Sequence, residues 1–182
     1  MTGIDIQRPL VALAAENAKK NGLEKRFAAV VGDLRQPPPR IAPAGFDHVM
    51  ANPPYLEQGK ATASPKEIRR IADMEGEAQL ADWIRVALTY LKDGGSLTFI
   101  QRAERLPALL AGLEGKAGGE VVFPLWAGPD KPARRVLVQA RKQSKAPLTL
   151  SRGLTLHVAE GGYSAGAERI LRDAGALDLT CS

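Results

Sequence analysis

Two hydrophobic rhythms alternate along this chain. "TGIDI" (residues 2–6) is a short apolar run ending in an acid, and "QRPLVALAAENAKKNG" follows it with Pro9 at a first helical position. Leu10, Leu13, Ala14 and Ala18 fall on one face of that segment and Gly22 terminates it, so the pair predicts a strand and then a helix. "FAAVVGD" repeats the strand-then-acid pattern and ends at Asp33; a proline-rich loop, "RQPPPRIAPAG", leads to a third run, "FDHVMA". From Glu75 to Leu91 the apolar positions Leu80, Trp83, Ile84, Ala87, Leu88 and Leu91 keep the helical period, and "KDGG" closes the segment. "SLTFI" then predicts a strand and "RAERLPALLAGLEGK" a helix. "EVVFPLW" and "RRVLVQAR" predict two strands that the short loop "AGPDKPA" makes antiparallel. Weaker signals follow, "GLTLHV" as a strand and "SAGAERILRDAG" as a helix. Strands separated by helices define an α/β fold with a mostly parallel sheet. There is no internal repeat and no linker, so residues 1–182 are expected to form one domain.

Composition narrows the function classes only modestly. With 45% apolar and 25% charged residues, the 182-residue chain has enough apolar surface for one ordinary core. No apolar run approaches the roughly 18 residues of a membrane span, and the N-terminus lacks a signal-peptide layout; a cytoplasmic protein without membrane partners is expected. The single cysteine, Cys181, can supply neither an intrachain disulfide nor a metal cluster. His48 and His157 have no second ligand at recognisable spacing, so no metal is expected and both read as packing or surface residues. Trp83 belongs to the core stripe of its helix, and Trp126 ends a strand. A net charge of +5 is compatible with a polyanionic partner. From Lys131 to Arg152 there are seven basic residues and no acidic one. Lys131, Arg134 and Arg135 in that stretch are candidates for RNA phosphates, and a solvated strand edge is the competing explanation. Lys60, Lys66, Arg69 and Arg70 offer a second basic cluster, equally compatible with a charged helix face.

The chemistry collects at strand ends. In open parallel α/β sheets ligands sit beyond the carboxyl ends of the strands, where this sequence puts Asp5, Asp33 and then "NPPY", residues 52–55. One carboxylate there can take both hydroxyls of a ribose and another can accept from an adenine amino group, which suggests an adenosine-containing cofactor. Pro53 and Pro54 fix two φ angles and remove two donors, leaving a stiff loop rich in acceptors. The amide oxygen of Asn52 and the carbonyl of Pro53 can accept both hydrogens of a planar NH₂ group, while Tyr55 stacks on its ring. Two acceptors favour the pyramidal nitrogen whose lone pair attacks an electrophile, and the stabilisation grows as that nitrogen turns positive.

"GIDIQ", "NAKKNGL", "VVGDL", "FDHVMANPPY", "LKDGGSLTFI", "RAERLPALLAGL" and "RRVLVQARK" together resemble the S-adenosylmethionine-dependent amino-methyltransferases of the NPPY class. Within that class the resemblance is greatest to the bacterial tRNA (adenine-N6)-methyltransferases acting beside the anticodon of a valine tRNA. It implies a Rossmann-like class I methyltransferase fold whose last strand is antiparallel. It also implies S-adenosylmethionine as cofactor, with Asp5 and Ile6 at the ribose, Asp33 and Leu34 at the adenine, and Asn52, Pro53, Pro54 and Tyr55 around the target amine. Asn52 also borders the cofactor. The implied reaction is direct methyl transfer to N6 of a flipped-out adenine of tRNA by a monomer, without metal. The rival activities are N5-methylation of a release-factor glutamine, whose amide suits the same loop, and a non-catalytic RNA-binding remnant.

The sequence departs from the family at its start. The strand and glycine-rich G-x-G-x-G loop that open the family's sheet are not among these residues, and that strand lies between those carrying Asp5 and Asn52. The resemblance therefore implies a domain incomplete at its N-terminus, with unpaired central strands, weak cofactor binding and poor stability of residues 1–182 alone.

Overall fold

The structure is a computed structural model and describes residues 1–53 and 79–179. Strand β1 (Thr2–Asp5) leads into helix α1 (Arg8–Lys20), and β2 (Ala28–Val31) lies parallel to β1 with Thr2 opposite Ala28 and Asp5 opposite Val31. Pro9 stands in the first turn of α1, and Gly22 takes a φ of 65° just past its end, as expected of a helix stop. The helix turns a different face inward from the one its large residues predict. Ala18 is buried with Val11 and Ala14 beside it, whereas Leu10 is 43% and Leu13 51% exposed. The reason is the narrow support: α1 rests on two short strands, which cover only a thin stripe of it.

The larger unit is a six-stranded sheet. β3 (Phe46–Ala51) pairs parallel with β4 (Leu91–Arg102), and β5 (Ala117–Trp126) and β6 (Ala133–Lys142) form the antiparallel hairpin expected from their short loop. β6 inserts between β4 and β5 and is antiparallel to both; it is the last of the long strands. β7 (Thr149–Leu150) and β8 (Leu154–Thr155) line the far edge of β5 in parallel. Helix α2 (Leu80–Tyr90) begins at Leu80, the first apolar position of the period. Gln79 is its N-cap in a reciprocal capping box with Asp82, while residues 75–78 lie outside the described region. "KDGG" does not end the helix; it lies inside β4, where the register jumps from Phe46–Leu91 to His48–Ser96 and Gly94 takes a φ of 75°. A 3₁₀ turn (Ala103–Arg105) and α3 (Leu106–Leu113) follow β4, and α4 (Ala165–Leu171) closes the described chain with Ser164 as its cap.

The core lies where α2 and α3 cover this sheet. Leu91, Leu97, Phe99, Leu109, Leu113 and Val138 are all fully buried there. By contrast, β3 is largely exposed, with Met50 at 80%. Among the described residues β1 pairs only with β2, and β3 only with β4, so β1 and β3 each carry an unpaired edge. A cavity of about 370 Å³ separates the two sheets at their amino-terminal ends, lined by Thr2, Ala29, Arg40, Ile41 and Phe46 among others. It lies at the opposite ends of the strands from Asp5, Asp33 and Asn52.

Candidate functional site

Asp5 and Asp33 leave adjacent parallel strands at one end of the small sheet, since Asp5 pairs with Val31 and Asp33 follows two residues later. One strand spacing and two residues of rise put their backbones roughly 8 Å apart. Each carboxylate folds back onto its own loop. Asp5 Oδ1 accepts from the Gln7 amide at 2.8 Å and Asp33 Oδ1 from the Arg35 amide at 2.8 Å, the turn that Asp favours two residues ahead of a backbone donor. The two aspartates then differ. Arg35 also grips Asp33 with its guanidinium, Nη2 donating to Oδ2 at 2.9 Å, and these hydrogen bonds hold the Asp33 carboxyl below the usual range. Among the described residues the Asp5 carboxylate is engaged only through Oδ1.

Gly32 explains how Asp33 is placed. A Cβ on this residue would stand 2.7 Å from Pro38 Cδ and 3.3 Å from Ile4 Cγ2. The absent side chain therefore lets the proline-rich loop fold tightly over the end of β2. Ile41 anchors the loop's far side, buried and with its amide bonded to the Pro38 carbonyl at 3.0 Å. Ile6 is 46% exposed and Leu34 is half-buried, so both offer apolar surface beside the carboxylates.

Asn52 and Pro53 continue β3, one and two residues beyond the Ala51–Phe99 pair. Asn52 is exposed and Pro53 is among the fully buried residues, so the loop starts from a fixed point. Pro54 and Tyr55 lie outside the described residues, as do Lys60, Lys66, Arg69, Arg70 and Cys181. The expected site is thus divided between the sheets, with Asp5, Ile6, Asp33 and Leu34 on the small one and Asn52 and Pro53 on the large one. Lys131, Arg134 and Arg135 are exposed at the start of β6. Because β6 runs antiparallel to β4, with Arg135 opposite Arg102, they lie at the same end of the sheet as Asn52. Reasoning from sequence missed Arg35, whose position two residues after an acid was the available signal, and Arg102, hidden at the end of a strand. His48 bonds Ser96 across β3–β4 at 2.7 Å, and Trp126 Nε1 donates to the Arg152 carbonyl at 2.9 Å, both structural roles as expected. No group of three or more possible metal-ligating side chains occurs among the described residues, and no helix among them is long and apolar enough to cross a membrane.

This architecture is the Rossmann-like α/β fold of the class I, S-adenosylmethionine-dependent methyltransferases. A crystal structure described as a predicted O-methyltransferase from Agrobacterium tumefaciens superposes with a TM-score of 0.75 over 97% of this chain and 78% of that one, at 21% identity. Among curated proteins, the ribosomal protein uL3 glutamine methyltransferase of Burkholderia pseudomallei is 34% identical over 123 residues, 61% of this chain. The chain spans 40% of that protein's length. The tRNA1(Val) (adenine(37)-N6)-methyltransferase of a Shewanella species is 25% identical over 177 residues, 95% of this chain and 73% of the relative. No protein-family model matches the chain. The resemblance read from the sequence, to methyltransferases of amino and amide nitrogens, agrees with these relatives.

Proposed function

We propose that this protein belongs to an S-adenosylmethionine-dependent methyltransferase acting on the exocyclic N6 amine of an adenine in tRNA. The observation that carries the proposal is the emergence of Asn52 from the end of β3, anchored by the buried Pro53, at the sheet end that also bears Arg134 and Arg135. The relative that the chain matches over most of its length, by name a tRNA adenine-N6 enzyme, supports the same substrate.

The described residues fit the nucleoside half of the cofactor. Asp5 Oδ2 is available for ribose hydroxyls, and Asp33, with Leu34 beside it, would border the adenine while Arg35 keeps its carboxylate charged. S-adenosylmethionine supplies an electrophilic methyl on its sulfonium. Asn52 Oδ1 and the Pro53 carbonyl accept the two N–H bonds of the target amine and draw it toward the pyramidal form. Both interactions strengthen as positive charge develops on that nitrogen, so they favour the transition state over the bound substrate. Tyr55, by the family resemblance, stacks on the flipped base.

The test is single-turnover transfer of labelled methyl with protein in excess over unmodified tRNA. N6-methyladenine is the expected product, and Asn52→Ala should slow its formation by about 10²–10³-fold, the loss typical of one preorganised transition-state partner. Label in a glutamine-bearing peptide and none in RNA would overturn the assignment.

A further inference from the structure

The large sheet has a continuous rim at the end where Asn52 emerges. β3, β4, β5 and β8 all point their carboxyl ends that way, and β6 starts there. In spatial order the rim carries Asn52, Arg102, then Arg134 and Arg135, then Trp126, then the segment around β8. Two residues past β8 stands His157. It forms an isolated antiparallel bridge with Tyr163, and their rings stack with centroids 5.0 Å apart and planes 21° from parallel. Gly161 and Gly162, at φ of 91° and 88°, make the tight turn between them. His157 Nδ1 lies 3.1 Å from the Gly162 carbonyl, which fixes the imidazole, and Ser164 ties the outgoing strand to α4.

Both rings are exposed, Tyr163 at 42%, so they add little to the core. A rigid, exposed aromatic pair beside basic residues has the features of a base-stacking platform. Four strand spacings separate Asn52 from this hairpin, about 19 Å, a span that several nucleotides of single strand would bridge. The rim is not uniformly basic: Glu104 pairs with Arg102 at 2.9 Å, and Asp130 and Glu160 lie in its turns.

Taking RNA as the substrate, as argued above, we propose that the His157–Tyr163 pair is a stacking subsite for an unpaired nucleotide several positions from the methylated adenine. Arg102, Arg134 and Arg135 line the path of the phosphates between the two. The target base and the distal base are thereby held at opposite ends of one strip of sheet rim, which fixes the direction of the strand across the site.

Fluorescence anisotropy with a labelled RNA stem-loop carrying unpaired adenines tests this in the full chain. His157→Ala/Tyr163→Ala should raise Kd about tenfold, within the range for losing one stacked base, and leave the salt dependence unchanged. Arg134→Gln/Arg135→Gln should lower the log–log salt slope by about 1.4, two single-strand phosphates' worth. Tyr163→Phe keeps the ring and should bind as wild type. Ring variants that bind as tightly as wild type, beside weakened arginine variants, would overturn the subsite and leave the RNA assignment standing. Failure of the wild type to bind RNA even at low salt would remove both. Photocrosslinking of 5-iodouridine RNA to the unaltered protein gives a second readout: label must appear in the peptide containing His157 and Tyr163, and its absence there refutes the subsite.

Discussion

Gly32→Ala is the most discriminating perturbation of the cofactor end, because its cost follows from three contacts. The new methyl would lie 2.7 and 2.8 Å from Pro38 Cδ and Cγ, where carbon pairs rest at about 3.5–4.0 Å. The proline ring is closed onto its own backbone nitrogen and cannot swing aside. Ile4 Cγ2 at 3.3 Å blocks part of the retreat, and buried Ile41 holds the loop through its bond to Pro38. Overpacking of this kind costs about 1–3 kcal/mol, offset by about 0.4–1 kcal/mol from the stiffer unfolded chain. A net loss of about 1–2 kcal/mol corresponds to about 5–30-fold more frequent opening. The loss should be local, because β1, α1 and β2 share no strand pairing with the large sheet among the described residues. Native-state hydrogen exchange should therefore accelerate by that factor over residues 28–41 and remain unchanged in β4 and β6. Affinity for S-adenosylmethionine should fall with it, since the displaced loop carries Asp33. Wild-type exchange over residues 28–41 would refute the packing account, and equal acceleration in β6 would refute the independence of the two sheets.

Two further outcomes follow from the core and from the ionic pairs. Phe99→Ala removes a fully buried ring at the centre of the large sheet; the expected loss is about 3–5 kcal/mol, read as a fall in Tm of about ten degrees. Asp33 and Asp47 both have carboxyls held below their usual value of 3.8, by Arg35 and Lys92 respectively. Their stabilisation is thus complete above about pH 4 and is lost as pH falls through the depressed folded-state values. Arg35→Gln and Lys92→Met should each lower stability between pH 5 and 7 and shallow the acid limb, so that the difference from wild type disappears as pH falls; a loss that persists undiminished at low pH would refute the assignment.

The hairpin β5–β6 was legible because a seven-residue loop leaves antiparallel pairing as the only geometry, and α2 and α3 because packing on a broad sheet selects the stripe that their sequence shows. The same rule fails where support is narrow. In α1 the large residues Leu10 and Leu13 predict the buried face, yet a two-stranded sheet covers only the small residues around Ala18. Polar, glycine-rich "KDGG" reads as a helix stop, but β4 accommodates it as a bulge opposite Asp47, with Lys92 bonded to that carboxylate at 2.7 Å. The capping box of Gln79 and Asp82 marks the helix start at the first residue of the apolar period, Leu80. At the candidate site, the strand-end positions of Asp5, Asp33 and Asn52 were readable from their places after apolar runs. The contacts of Arg35 and Tyr163 were not, because they form only after the chain turns back on itself.

An adenine N6 amine and a glutamine amide present the same recognition problem at the reacting atom: a planar nitrogen with a delocalised lone pair and two N–H bonds. Two acceptors at the end of β3 would suit both equally, so under the proposed function the loop carries little of the choice between them. Discrimination must come from groups that meet the rest of the substrate. On this protein those groups sit along the sheet rim, where arginines at the ends of β4 and β6 lead from Asn52 toward an exposed, prestacked ring pair. Under the proposed function, an RNA strand would set phosphates against that row at every nucleotide and a base on the rings. The specificity of the site is therefore expected to reside about 19 Å from its chemistry, and substitutions at His157 and Tyr163 should change which substrates are methylated while leaving the rate on a bound target amine unchanged.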